Sequence, residues 1–277
     1  MSYFVALTTN SSERVACAVE PYRRRLLLPG GRRGGWGLGY HRDGELLRRI
    51  EPRERGEELD VGELLGELES KVLVFHSREA TVGPVRRENT HPFRFQQWLW
   101  AHNGTWEGFS DIRERVLEAM PPFIRRSVRG DTDSEYLFHL VLSFLHDAGK
   151  LGCVDPGTEV IRAAMRHAFA AVEEFSREEG SAGGPASAVI SDGYSLVAMQ
   201  RGVPVQYSLI EGIRDCPLCR LSRPSDASAA PIDHEGLRAV LLRSGTGIGD
   251  DEGFHALEEG SMLAVTRDYK VEFRSLG

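Results

Sequence analysis

The sequence predicts an α+β sandwich with its sheets inside and its helices outside. Two observations carry this: strand-like segments occur at both ends of the chain, and two long amphipathic helices lie between them. Taken in order, "YFVALTT" and "KVLVFHS" are short runs of β-branched, aromatic and aliphatic residues that read as buried strands, and "FQQWLWAH" reads as another. "GWGLGYHRDGELLRRI" reads as a hairpin turning at Asp43 and Gly44. In "DTDSEYLFHLVLSFLHDAGK" the residues Tyr136, Leu137, Leu140, Val141, Phe144 and Leu145 recur at helical spacing and form one wide apolar stripe that should pack on a sheet. "DPGTEVIRAAMRHAFAAVEEFSREEG" is a second helix, with Pro156 suited to a first turn and Gly180 to a stop. "GSAGGPAS" is a short connector, "ASAVISDGYSLVAMQ" a second hairpin around Asp192 and Gly193, "CRLSRPSDASAAP" a surface loop, and "FHALEEGSMLAVTRDYKVEF" a closing strand pair or two.

Composition narrows the function classes. A chain of 277 residues with 41% hydrophobic and 27% charged residues can bury a substantial core, and residues 1–277 are expected to form one domain. The net charge of −7 argues against a nucleic-acid or anionic-membrane partner, because such surfaces select for excess Lys and Arg. The Arg-rich start is nearly matched by acidic residues and reads as a mixed charged face. No apolar run approaches the roughly 20 residues of a membrane span and no secretory signal is evident, so a cytoplasmic location is expected. Four unevenly spaced cysteines, Cys17, Cys153, Cys216 and Cys219, fit a reducing compartment.

Each chemistry-bearing motif has a structural reading beside its functional one. Asn103 and Gly104 of "WAHNGTW" make a common hairpin turn, or an oxyanion hole built from a side-chain amide and a backbone N–H. Thr132 and Glu135 of "GDTDSE" fit a capping box that leaves Asp133 in the first turn of a helix; alternatively its carboxylate pairs with a substrate ammonium group. His76 and Arg78 leave a strand on one face, and Arg78 is either a strand-end cation or a fork for a substrate carboxylate. The pair in "DCPLC" is half of a tetrahedral zinc site with no second pair, so Cys216 and Cys219 read as ordinary thiols, and neither a metal nor a cofactor is expected. The elbow of serine hydrolases is absent, and "GGWGLG" lacks the features of a phosphate loop.

In order, "GGWGLGYH", "FHSREATVG", "ENTHPF", "WAHNG" and "GDTDSE" resemble the class II glutamine amidotransferase domain, most closely the small stand-alone members of that N-terminal-nucleophile hydrolase family. The likeness is specific to about residue 145 and looser beyond. It implies a four-layer αββα sandwich in which Arg78 grips the substrate α-carboxylate, Asp133 its α-amino group, and Asn103 with Gly104 the oxyanion. The family pattern begins Met-Cys, the thiol being the nucleophile and its own α-amino group the base. Here Ser2 takes that place, with a small side chain compatible with Met removal.

A terminal hydroxyl with an amine base of pKa roughly 7.7 to 8.0 is feasible chemistry. Three readings of Ser2 stand open at this point: a serine nucleophile, a pocket retained without turnover, or a change introduced for Cys. The leading expectation is an amidohydrolase acting on glutamine or a γ-glutamyl amide. The alternative is an inactive binding or regulatory protein that keeps the γ-glutamyl pocket. With no room for a synthetase, ammonia transfer would require a separate acceptor protein.

Overall fold

The computed structural model describes residues 2–31, 33–221, 232–245, 248–249 and 251–276. Most of the loop expected over "CRLSRPSDASAAP" lies outside the described residues, as does Met1. The first half carries β1 (Tyr3–Thr9), α1 (Val15–Val19), β2 (Leu27–Leu28), β3 (Gly34–Arg42), β4 (Glu45–Glu51), β5 (Leu59–Asp60), α2 (Val61–Gly66), β6 (Val72–Glu79), β7 (Phe93–Phe95) and β8 (Trp98–Gly104). The helical centre follows with α3 (Phe109–Glu118), α4 (Pro122–Arg125), α5 (Asp133–Asp147) and α6 (Thr158–Glu178). The chain then returns to strands with β9 (Ala186–Ser191), β10 (Leu196–Gln200), β11 (Val205–Glu211), α7 (Pro217–Leu221), β12 (Arg238–Gly245), β13 (His255–Ala256), β14 (Ser261–Val265) and β15 (Val271–Ser275).

These strands form two main antiparallel sheets, ordered β13-β11-β12-β1-β6-β3-β4 and β15-β14-β10-β9-β8-β7. Strand alternation assigns each side chain to a layer. Phe4 and Ala6 of β1, Val72 and Val74 of β6, and Leu99 and Ala101 of β8 fill the space between the sheets. Tyr3, Val5 and Leu7 point the other way, into a core shared with α1 and α2. Trp98 and Trp100 enter a third core with α3, α5 and α6. The result is the four-layer αββα sandwich. Glycines in "GWGLG" face the second sheet: a Cβ on Gly37 would lie 2.1 Å from the His91 carbonyl oxygen, so close approach of the sheets requires its absence.

Local expectations meet tertiary structure with three differences. The helix α5 is buried nearly all round rather than along one stripe, because α3 and α6 flank it while its apolar face meets the sheet. Its capping box is half formed: Thr132 Oγ1 accepts the Glu135 N–H, but the Glu135 carboxylate accepts the Arg129 and Gly130 N–H groups instead of turning back. The second hairpin has a four-residue loop, since Leu196 pairs with Ser191; the buried Asp192 carboxylate accepts the N–H groups of Tyr194 and Ser195 and makes the turn itself. The Asp43–Gly44 hairpin forms as expected, with φ of 53° and 81° at its two turn residues.

Trp98 is fully buried and donates its indole N–H to the Leu151 carbonyl at 2.8 Å, tying β8 to the segment after α5. Replacing it with alanine is expected to cost about 3–5 kcal/mol of unfolding free energy, from the cavity it leaves. Urea denaturation of Trp98→Ala beside the parent protein measures this; a cost under 1 kcal/mol would contradict the packing described.

Candidate functional site

The register of the central strands brings the site together. Tyr3 of β1 pairs with Ser77 of β6, so Ser2 lies beside Arg78 and Glu79. The Ser2 hydroxyl oxygen accepts the Glu79 N–H at 3.0 Å. Arg78 is 4% exposed and folds its guanidinium over the following loop, donating to the carbonyls of Val82 (2.5 Å), Gly83 (3.1 Å) and Pro84 (3.1 Å). Those contacts leave donor capacity on its planar fork. Burial pulls its pKa down while the nearby Asp133 carboxylate opposes the shift.

Asp133 opens α5, where the helix dipole favours negative charge. Its Oδ2 accepts the Trp106 N–H at 2.7 Å and its Oδ1 the Ser134 N–H at 2.9 Å. Gly104 ends β8 with a φ of 141°, and a Cβ there would lie 1.8 Å from the Pro185 carbonyl oxygen. Only glycine fits that approach. Ser2, Arg78, Gly104 and Asp133 line one narrow cleft of about 10 Å3, room for about one water molecule.

Asn103 differs from the expectation in two ways. Asn103 and Gly104 are not a hairpin turn: both belong to β8 and pair with Ser187 and Ala186 of β9. Strand alternation then turns the Asn103 side chain into the space between the sheets. There its Nδ2 donates to the Ser244 carbonyl (2.9 Å) and hydroxyl (3.2 Å), and its Oδ1 meets His76 Nε2 at 3.1 Å. In this arrangement the carboxamide does not line the cleft.

Behind the cleft lies a group of buried imidazoles that motif reading did not anticipate. The rings of His76 and His91 pack at 4.0 Å between centroids, tilted by 30°, and His102 Nδ1 meets Ser134 Oγ at 2.7 Å. His91 and His102 both line the cleft. Neither ring nitrogen of His91 nor Nε2 of His102 has a hydrogen-bond partner among the described residues. Burial pushes the His76 pKa down to about 3, that of His91 well below the ordinary value, and that of His102 down as well. The signal was present in "HSR", "THPF" and "WAHNG", where each quoted motif contains one of the three, but nothing in their spacing says that the rings meet.

A wider cleft, about 470 Å3, opens at the opposite ends of the strands, between the Asp43–Gly44 turn and the Asp192–Tyr194 loop. It holds none of the five residues singled out by the motifs. The narrow cleft carries the buried, convergent polar groups, and chemistry rather than volume makes it the candidate site. Cys216 and Cys219 are not an isolated pair as the sequence suggested: Cys17 from α1 and His234 from the segment before β12 join them, with all four side-chain donor atoms within 4.8 Å of one another. Distance along the chain hid this cluster.

The fold is a four-layer α+β sandwich of two antiparallel sheets between helical layers. The family of class-II glutamine amidotransferases matches residues 1–270, and the chain belongs to that family. A Haemophilus influenzae protein provisionally named a glutamine amidotransferase is 26% identical over 151 residues, 52% of this chain and 48% of its own length. A glutamine–fructose-6-phosphate aminotransferase (isomerizing) of Rhizobium leguminosarum bv. viciae is 32% identical over 115 residues, 41% of this chain and 17% of its own. The matched regions thus span about half or less of these relatives. Among solved structures, a class-II glutamine aminotransferase domain protein from Silicibacter pomeroyi aligns with a TM-score of 0.56 and 19% identity over 99% of both chains. The glutamine phosphoribosylpyrophosphate amidotransferase of Bacillus subtilis aligns with a TM-score of 0.54 and 16% identity, over all of this chain and 49% of its own. Both likenesses concern the fold. No described helix is long and apolar enough to cross a membrane.

The buried imidazoles make acid stability predictable. Each binds fewer protons in the folded than in the unfolded state, whose histidines titrate near 6.5, so stability falls as pH drops below about 6.5 and goes on falling towards the folded-state value of about 3 for His76. His76 alone contributes a slope of about 1.4 kcal/mol per pH unit in that window. Urea midpoints measured from pH 7 to pH 4 should show a shallower loss in His76→Gln than in the parent; equal slopes would contradict the buried neutral state.

Proposed function

We infer that the protein hydrolyses the side-chain amide of glutamine or a related γ-glutamyl amide, with Ser2 as nucleophile. The observation that carries this is the convergence of Ser2, Arg78, Gly104 and Asp133 on one cleft. Arg78 would hold the substrate carboxylate and Asp133 its ammonium group, one charge-assisted contact at each end of the amino-acid moiety. Once side chains at the rim move aside to widen the cleft, the side-chain amide would then reach Ser2 and Gly104.

Removal of Met1 would make Ser2 the terminal residue. Its free α-amine then takes the hydroxyl proton as the oxygen attacks the amide carbon. The buried histidines are poor candidates for that base, since their desolvated rings bind protons weakly at neutral pH. The Gly104 N–H would stabilise the oxyanion, joined by the Asn103 carboxamide if it rotates away from Ser244. The C–N bond breaks as the amine returns its proton to the departing ammonia, and water hydrolyses the γ-glutamyl ester. The ammonia would either be released or pass to an acceptor.

One observation favours a second reading, a pocket that binds without turnover: the Asn103 amide is held by Ser244 and does not line the cleft. Intact mass before and after exposure to an electrophilic glutamine analogue separates the two. Catalysis predicts loss of Met1 and an adduct on Ser2. A chain that keeps Met1, gains no adduct and yet binds glutamine would be a binding protein.

A thiol ionises far more readily than a hydroxyl, with a free Cys pKa of about 8.5. Ser2→Cys is therefore expected to raise kcat for glutamate release at least 10-fold, Ser2→Ala to abolish it, and Arg78→Lys to raise KM about 10-fold or more by losing the planar fork. Glutamate release unchanged in Ser2→Ala would dismiss the proposed nucleophile.

A further inference from the structure

The geometry points to a structural zinc site of the Cys3His type, formed by Cys17, Cys216, Cys219 and His234, on the outer helical layer and apart from the glutamine cleft. Bond lengths of about 2.3 Å to sulfur and 2.0–2.1 Å to nitrogen in a tetrahedral site space two sulfurs by about 3.8 Å and a sulfur from a nitrogen by about 3.6 Å. Here Cys17 Sγ and Cys219 Sγ are 3.7 Å apart, and Cys219 Sγ is 3.4 Å from His234 Nε2. A disulfide would need sulfurs about 2.0 Å apart, and all four cysteines are free thiols. Three thiolates and one imidazole are soft and borderline donors that suit zinc, and four protein ligands leave no open position, as in structural rather than catalytic sites.

The surrounding backbone holds the ligands independently of the loop that separates Cys219 from His234. Ile213 and His234 exchange backbone hydrogen bonds in both directions (3.3 and 2.8 Å), and the Cys216 N–H donates to the Ile232 carbonyl at 2.9 Å. Cys216 immediately precedes α7 and Cys219 lies within it, with two residues between them. Arg14 Nη1 lies 3.5 Å from Cys219 Sγ, where its positive charge offsets the net negative charge of three thiolates around one divalent ion. A bound ion would staple α1, which follows β1, to the excursion between β11 and β12. Those segments flank the strand that starts with the nucleophile-bearing end, so the metal would stabilise the fold around the cleft without touching substrate.

Elemental analysis of the full-length protein, purified under reducing conditions and then incubated with zinc and desalted, tests the site. About one zinc per chain is expected in the parent and in Cys153→Ser, with marked loss in Cys219→Ser and His234→Ala. Substitution with cobalt should give the visible absorption and thiolate charge-transfer bands of tetrahedral sulfur ligation. Stripping the parent with a strong chelator should lower Tm by several degrees and zinc should restore it, because binding free energy is folding free energy. A folded, reduced parent that takes up no zinc, an uptake unchanged in Cys219→Ser, or a disulfide among Cys17, Cys216 and Cys219 mapped in freshly isolated protein would each overturn the proposal. None of these readings depends on glutamine turnover.

Discussion

The strand β1 is the constraint on which the rest of the molecule depends. All seven of its residues are buried, and it is hydrogen-bonded along its length to β12 on one side and β6 on the other. A strand so placed has no solvent-facing edge, and its register cannot slip by one residue without moving every inward side chain to the wrong core. That register sets Ser2 against Glu79 and Arg78, and sets β12 where Ser244 can reach Asn103. The chemistry at the strand ends is thus positioned by apolar side chains that take no part in it.

Packing two sheets face to face also determines which polar groups are buried. Strand alternation on β6 directs Val72, Val74, His76 and Arg78 towards the second sheet, so the apolar interior passes without interruption into the floor of the cleft. Imidazoles in that setting stay neutral, since charging them would require solvation that the packed layers exclude. Arg78 is the exception: it remains a cation while buried, wrapped by three carbonyls and facing Asp133. The cleft thus sets a buried cation near a buried carboxylate, with a second carboxylate, that of Glu79, on its wall.

The outer layer over the first sheet is thinner than its counterpart. Short helices α1 and α2 cover it, whereas α5 and α6, of 15 and 21 residues, cover the second sheet. Short helices gain little from their own hydrogen bonds and depend on tertiary contacts. A ligand cluster that links α1 to the segment before β12 lies where such reinforcement would have most effect.

The sequence by itself determined much of this protein. Short unbroken apolar runs in "YFVALTT" and "KVLVFHS" specify buried strands, the 3.6-residue rhythm from Tyr136 to Leu145 specifies α5, and Asp43–Gly44 specifies its hairpin, because each depends on near neighbours in the chain. The order of short motifs likewise marked the family and four residues of the cleft. What only the tertiary structure decided involves partners far apart. Asn103 and Gly104 carry the local signature of a turn, yet pairing with β9 keeps them in a strand and sends the carboxamide to Ser244. The packed histidines and the pairing of Cys17 and His234 with Cys216 and Cys219 were equally invisible, since spacing along a chain does not encode which distant segments the sheets bring into contact.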